Sequence, residues 1–455
     1  MLNPRHIAVI GASNRPSNAG RSFVVALRAA GFSGRLSVVN RDGADVDGAA
    51  GATSVNALGT VPDLAILAVP APLAVDAVRE LGRAGVRLVH AFTGGFAELG
   101  TPDAVDLQRE LVSVCHAAGV TLLGPNCMGI YRPRAGLAFR ADQPMLDGSV
   151  GLVAQSGGVV INTAHQLAAM GVGISTAVSF GNGAQRAAGH WAEQVSATGE
   201  QSVLGVYIES ANEPDLLDRL AKAAIQQPVI VCAGPSGAEA AAAAARHTGA
   251  VGGAAIPREW PPGVVAVRSA EQLMAALAWY ARRPLPPTPV RAAIVTISGG
   301  VGVAAASALT RAGAVLAQPA DATRRAVHEV AGGGLVRAEN PVDLGPRYLS
   351  RKVAARTLAA LRADSGVDVT VFHLTWDHLL DVDRANPGYA NGYLDLLLAH
   401  GADANDFCIF FPRVLDDLAE HEARTRLRAH GIPVFDNWDA IAAILAGTTA
   451  GGRAV

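Results

Sequence analysis

His247 sits in the run Arg246-His247-Thr248-Gly249-Ala250, directly after an alanine tract at 240–245. Far from it stand two glycine-rich turns, AQSGG at 154–158 and ISGG at 297–300. Each follows an apolar run of strand type and opens an apolar run of helix type. Such a turn aims unpaired backbone N–H groups and a helix dipole at an anion. A neutral imidazole is a competent nucleophile at phosphorus, and a nearby carboxylate can fix its tautomer. Two anion cradles and one histidine together predict a histidine that carries phosphate. By itself a histidine at a helix end is more often a partner of the helix dipole than a nucleophile; the cradles are what raise the chemical reading above that one.

A third turn, GASNRPSNAGR (11–21), also lies between a strand-like and a helix-like run, which suits a pyrophosphate. Its spacing is not G-x-G-x-x-G. An NAD site would want an acidic residue at the end of the second strand, and here that place reads Asn40-Arg41. An arginine there suits an extra phosphate, as in NADP or in the 3′-phosphate of coenzyme A.

The elements that must position these groups alternate between short apolar runs and amphipathic segments, the signature of parallel α/β domains. Strands are expected at 7–11, 36–40, 64–69, 88–93 and 121–125, forming a Rossmann-like sheet. A second set is expected at 149–154, 175–180, 203–209, 228–234 and 264–267, closed by a helix at 270–282. The proline-rich segment 282–291 reads as a linker. A third set is expected at 292–298, 314–320, 367–375, 407–412 and 432–437. The alanine stretch 238–246 reads as a plain helix. The resulting domains are 1–145, 146–285 and 290–455.

Composition narrows the function. The 455 residues are 50% hydrophobic, much of it alanine, and no run of about 18 strongly apolar residues offers a membrane span. The opening MLNPR leads straight into a strand-like run, so no secretory signal is expected. A net charge of −2 without a basic run argues against nucleic acid as the main partner. Cys115, Cys127, Cys232 and Cys408 form no CxxC pair and are expected as buried or free thiols of a reducing, cytoplasmic compartment. Neither Lys222 nor Lys352 is followed by Ser or Thr, which excludes a Walker A loop. The cluster His373, Asp377, His378, Asp381 and Asp383 follows no known ligand spacing; it is expected as a solvated helix or loop, and no metal site is expected.

VIGAS (9–13), the span Pro16 to Gly20, LAVPAPL (67–73), GGFAELG (94–100) and LLGPNCMGI (122–130) together resemble the CoA-binding domain of NDP-forming acyl-CoA synthetases, the succinyl-CoA synthetase superfamily. AQSGG (154–158), SFGN (179–182), YIES (207–210) and HTGAVGG (247–253) resemble its second domain, and ISGGVGV (297–303) and NPVDLG (340–345) its third, in the right order. The resemblance implies an α/β chain with an N-terminal Rossmann-like CoA-binding domain followed by two flavodoxin-like, succinyl-CoA synthetase-like domains.

It also implies a relay. Acyl-CoA and phosphate give acyl phosphate and CoA, and the acyl phosphate phosphorylates a histidine that passes the group to a nucleoside diphosphate. On this resemblance His247 matches the phosphorylated histidine and Glu209 the glutamate that orients it. Gln155, Ser156, Gly157 and Gly158, and Ser298, Gly299 and Gly300, match the two helix N-termini that hold the phosphate. Gly11, Ala12, Ser13, Pro16, Gly20, Asn40, Arg41, Val69 and Pro70 fall to the coenzyme, with Asn126 and Cys127 at its thiol or acyl end.

The resemblance departs in three places. No ATP-grasp domain is present, so nucleotide and Mg are expected only on a separate β-type partner subunit, in a hetero-oligomer. After SFGN the usual acidic loop reads GAQRAAGH (183–190), and after HTGA the helix is replaced by VGGAAIPREWPPG (251–263). These changes motivate an alternative, a CoA- or acyl-CoA-binding sensor or scaffold without turnover. An NADP oxidoreductase would leave the second and third domains without a purpose.

Overall fold

The computed structural model describes all residues except 211–212, 235–256, 258, 284–288, 333–335, 337, 402–403, 405, 416, 446–451 and 454–455. The calls on His247, on the alanine helix 238–246 and on most of the altered segment 251–263 therefore lie outside the described residues.

The described strands in chain order are β1 His6–Ile10, β2 Arg35–Val39, β3 Ala50–Ala52, β4 Leu64–Leu67, β5 Leu88–Ala91, β6 Thr121–Leu123, β7 Gly129–Tyr131, β8 Val150–Ala154, β9 Ile174–Ser179, β10 Val203–Ile208, β11 Val229–Ala233, β12 Glu259–Trp260 and β13 Val264–Val267. They continue with β14 Arg291–Thr296, β15 Val315–Leu316, β16 Val342–Asp343, β17 Val369–His373, β18 Phe407–Phe410, β19 Val434–Phe435 and β20 Gly452–Arg453.

The first sheet is parallel, in the order β3-β2-β1-β4-β5-β6. That is the dinucleotide-fold order, reversing direction between β1 and β4. The second sheet runs β13-β11-β10-β8-β9-β7, with β7 antiparallel to β9. Without β7 it has flavodoxin order, reversing between β8 and β10. The third runs β15-β14-β17-β18-β19, again of flavodoxin order, with β16 on β14. All three sheets therefore match the α/β architecture expected. β3, β7 and β16, two or three residues each, are additions that the apolar pattern did not reveal.

Strand burial explains the unbroken apolar runs. Helices cover both faces of a parallel sheet, so every position is inside; all five residues of β1 and of β8 are buried. The helices start and stop on local chemistry. Thr101 caps Pro102–Ala118 through its hydroxyl to the Ala104 N–H, proline takes the first helical position, and Gly119 ends the helix at φ 62°.

The chain divides into two compact units: residues 1–168 with 172–270, and 169–171 with 271–455. The first holds the first and second sheets. The helix expected at 270–282 is Ala270–Tyr280, and it lies with the third sheet rather than closing the second. Its Tyr280 hydroxyl donates to the Ile444 carbonyl at 2.7 Å. The segment read as a linker is anchored at its second residue: Arg283 is buried and donates to the Ala404 carbonyl at 3.0 Å. Among the described residues no helix is long and apolar enough to cross a membrane.

Candidate functional site

In the first sheet the reversal point lies between the ends of β1 and β4, and the expected coenzyme residues gather there. Gly11 has φ 90°, and a β-carbon on it would lie 2.7 Å from Val69 Cγ1 and 2.8 Å from the Ala68 carbonyl oxygen. Gly20 lets the following helix approach, since a β-carbon would lie 2.7 Å from Ala12 Cα. Asn18 holds the turn together: its Oδ1 accepts from Ser13 N–H (3.0 Å) and Arg21 N–H (2.8 Å), and its Nδ2 donates to the Gly11 carbonyl (3.0 Å). The turn thus spends the Gly11 N–H on the Val39 carbonyl and the Ser13 N–H on Asn18. Ala12 is wholly buried, so it and Gly20 shape the turn rather than face a ligand. Pro16 faces a surface cavity of about 420 Å³ shared with Arg21, Val25, Phe139 and Arg140. Asn40 is closed on its own loop, its amide both donating to and accepting from Ala44, whereas Arg41 is exposed. The Val69 carbonyl accepts from the Thr93 hydroxyl at 2.6 Å, and Pro70 precedes the helix Ala71–Arg83.

A larger cleft of about 480 Å³ gathers Gly94, Asn126, Cys127 and Met128 from the first domain with Gln155, Ser156, Gly157, Gly158, Asn182 and Glu209 from the second. It stands at the reversal point of the second sheet. Gln155 bridges that point: its N–H donates to the Tyr207 carbonyl (2.9 Å), its Oε1 accepts from Glu209 N–H (2.8 Å), and its Nε2 donates to Ser210 Oγ (3.4 Å). Ser156 Oγ accepts from Val159 N–H at 3.4 Å, capping the helix Gly157–Ala169. Among the described residues nothing but Ser156 Oγ, at 3.7 Å, comes within 4 Å of a β-carbon built on Gly158, which leaves the backbone there open to a ligand on the described side. Glu209 stands beside Tyr207; burial first, then this carboxylate, push the Tyr207 hydroxyl up to about 12.

The two domains are stitched at this cleft. Asn182 N–H donates to the Pro125 carbonyl (3.0 Å) and Ala184 N–H to the Gly124 carbonyl (3.1 Å). Gly181, at φ 56°, has no room for a β-carbon against the Pro125 and Asn126 carbonyls. Gln185 of the altered loop donates to the Val120 carbonyl (3.0 Å) and accepts from Leu122 N–H (2.8 Å). Where family members carry acid, this loop braces the first sheet.

Cys127 lines the cleft, but its thiol is turned inward, toward the Ala91 and Leu123 carbonyls, and burial pushes it far above the usual thiol range. It offers the cleft no thiolate. All four cysteines are buried thiols.

In the second unit Ser298 precedes the helix Gly299–Arg311 at the reversal point of the third sheet. Ser298 N–H donates to Thr296 Oγ1 (3.1 Å), which also lies 3.0 Å from His373 Nδ1. A β-carbon on Gly299 would lie 3.2 Å from Asp343 Oδ2, while a β-carbon on Gly300 would, among the described residues, meet only Ser298 Oγ, at 3.9 Å. His373 is correspondingly not solvated, as expected from its sequence, but a buried strand-end residue whose pKa burial lowers to about 4. His378, at 3.2 Å from Asp377, does lie at the surface. Among the described residues no group of three or more His, Cys, Asp and Glu is placed to hold a metal ion.

Sequence reasoning did not single out Glu98, Gln108 or Asn182 as site residues. Glu98 Oε1 accepts from Gly95 N–H (2.6 Å) and Phe96 N–H (3.2 Å). Its Oε2 accepts from Asn182 Nδ2 at 2.6 Å, and the same nitrogen donates to Gln108 Oε1 at 2.9 Å. The only sequence signal was that Glu98 and Asn182 fall inside the quoted GGFAELG and SFGN segments.

A family model described as a CoA binding domain matches residues 5–133, and one described as a succinyl-CoA ligase like flavodoxin domain matches residues 147–279. The chain is 31% identical over 450 residues to acetate–CoA ligase (ADP-forming) I of Archaeoglobus fulgidus, covering 96% of this chain and 61% of that one. It is 29% identical over 382 residues to acetate–CoA ligase (ADP-forming) II subunit alpha of Pyrococcus furiosus, covering 81% and 80%. It therefore spans less than two thirds of the A. fulgidus relative. In structure it is similar to the Ca. Korarchaeum cryptofilum dinucleotide forming acetyl-coenzyme A synthetase 1 in complex with phosphate and ADP. The TM-score is 0.81 at 22% identity, covering 98% of this chain and 94% of that one, a likeness of fold. With both models matched in order around one shared cleft, the chain carries a CoA binding domain followed by a succinyl-CoA ligase like flavodoxin domain, and these relatives are ADP-forming acetate–CoA ligases.

Proposed function

We propose that this chain is the CoA-binding, phosphohistidine-forming part of an NDP-forming acyl-CoA synthetase, an acid–thiol ligase. A separate ATP-grasp chain would supply the nucleotide and Mg site. The observation that carries this reading is the cleft in which the Asn126 turn of the CoA-type domain meets the Gln155–Gly158 helix N-terminus and Glu209. A thioester presented from one side would there meet phosphate held on the other.

In that reading a phosphate oxygen attacks the thioester carbonyl carbon and the C–S bond breaks. CoA leaves as thiolate and takes up a proton, and acyl phosphate remains. An imidazole nitrogen of His247 then attacks phosphorus, the bond to the acyl oxygen breaks, and the carboxylate leaves. Glu209 accepts the proton-bearing ring nitrogen as partner and holds the tautomer. The backbone N–H groups at 157–158 neutralise the phosphoryl oxygens, which is most of what such a transfer requires, and the resemblance gives Ser298, Gly299 and Gly300 the same task. The split into two chains fits the P. furiosus relative, named as a subunit alpha; the longer A. fulgidus relative shows that one chain can exceed this span. Four buried thiols fit a cytoplasmic protein.

The reverse half-reaction tests this without the partner. Acetyl-CoA and radiolabelled phosphate should leave an acid-labile, base-stable label on the chain and release free CoA. His247→Ala should carry none; an equal label on that variant sinks the relay. The braced loop at Gln185, without its acids, favours the sensor as a second reading. That reading predicts no label, yet stabilisation by CoA of about 2.7 kcal/mol at a hundred times the dissociation constant.

A further inference from the structure

Glu98, Asn182 and Asn126 form a line of hydrogen bonds ending in the cleft, and the line has a direction. A carboxylate only accepts. Glu98 receives the N–H groups of Gly95 and Phe96 on one oxygen and Asn182 Nδ2 on the other. Asn182 must therefore turn its nitrogen toward Glu98, where Gln108 Oε1 takes the second hydrogen. Its Oδ1 is left facing Asn126, which must present Nδ2, seen at 3.4 Å. The orientation of an amide is decided by its network, and here the acceptor-only group at the far end decides it for both.

Asn126 cannot escape by moving its backbone. It sits at φ 58°, with its N–H donating to the Thr93 carbonyl at 3.0 Å and its carbonyl against Gly181. Its side chain is exposed to the cleft. Among the described residues no hydrogen bond takes its second amide hydrogen.

We infer that Glu98 is a positioning residue which, through Asn182, fixes Asn126 with an N–H donor aimed into the cleft, and that this donor binds the carbonyl oxygen of an acyl thioester. The inference rests on the proposed function for the identity of the ligand. A donor placed there holds the acyl group and gains strength as the oxygen becomes anionic during attack.

The test exploits the direction of the line. Glu98→Gln is nearly isosteric and can keep the Gly95 and Phe96 bonds on its oxygen, but its Nε2 then faces Asn182 Nδ2. Relieving that conflict reverses Asn182 and then Asn126, which removes the donor. Adding Asn182→Asp restores an acceptor toward both neighbours, with Gln108 turning its amide, and so returns Asn126 to its original orientation.

The probes are acetyl-CoA and S-ethyl-CoA, which lacks the carbonyl, with affinities read by calorimetry. Wild type should prefer acetyl-CoA by roughly three- to tenfold, the worth of one hydrogen bond. Glu98→Gln should lose the preference, and Glu98→Gln/Asn182→Asp should regain it, with S-ethyl-CoA affinity unchanged throughout. A wild type without the preference, a Glu98→Gln variant that keeps it, or a double variant that stays deficient would each overturn the inference. Phosphohistidine labelling runs alongside. An unlabelled wild type that still prefers acetyl-CoA would end the turnover reading and leave the Asn126 donor standing.

Discussion

At the residue scale the cleft depends on a few positions with no steric latitude. Gly181 carries no chemistry, yet it lets the Pro125-Asn126 backbone cross the end of β9. Gly181→Ala should destabilise the chain by about 2–4 kcal/mol, from the positive φ and the clash with two carbonyls. Urea denaturation checks this, and a loss under 1 kcal/mol would mean that the two loops are not tightly apposed. Buried histidines form a second group. The rings of His90 and His373 are lowered to about 4, chiefly by burial, from an ordinary 6.5. His90 lies under Gly129, with Nε2 3.0 Å from the Cys127 carbonyl. Because the folded value is depressed, the unfolded chain binds more protons between these two limits. Stability therefore rises with pH across that window and the contribution is complete above 6.5, amounting at most to something on the order of 3 kcal/mol per ring. The urea midpoint should fall as the pH drops from about 6.5 to about 4.5. His90→Gln should flatten part of that slope; an unchanged slope would exclude His90 as a contributor.

At the scale of elements, strand ends and helix starts do the positioning. Several expected strands ran past the observed ladders: β4 ends at Leu67 rather than residue 69, β10 at Ile208 rather than 209, and β14 at Thr296 rather than 298. The surplus residues include Val69, Glu209 and Ser298. Apolar pattern continues through such ends because the neighbouring loops still cover them, while pairing stops where the chain turns away to form a site. The first turn depends on a cap in the same way. Asn18→Ala removes bonds to Gly11, Ser13 and Arg21 and should cost about 1–2 kcal/mol. CoA affinity should fall with it. Asp417→Ala, a cap loss of similar kind on the helix Leu418–Ala429 of the other unit, should lower the melting temperature and leave CoA binding intact. Equal effects of both variants on CoA would show that the turn does not serve the coenzyme.

At the scale of the whole molecule, three sheets of two related orders are grouped into two compact units. Asn340 of NPVDLG shows what a motif residue can do at this level. It accepts from Ile294 N–H (2.9 Å) and donates to the Ala292 (2.7 Å) and Ala317 (3.0 Å) carbonyls, so it joins three segments of the third sheet. Asn340→Ala should cost about 2–4 kcal/mol. The loss should appear in the thermal transition of the 271–455 unit and spare that of the first. A calorimetric trace in which both transitions shift together would show that the units unfold as one.

The sequence by itself determined the α/β class, the three sets of strands, the four buried thiols and the strand-to-helix turn at Gln155–Gly158, because these follow from local periodicity and from turn chemistry within a few residues. It also carried the ordered motifs on which the resemblance rests. Tertiary structure alone decided that Cys127 faces the core, that His373 is buried and that the helix Ala270–Tyr280 belongs with the third sheet. It alone joined Glu98 to Asn182 across 84 positions. A side chain's type shows what it can donate or accept, but its partner is set by which strand ends the sheet order brings together, and that order is a property of the whole packed chain.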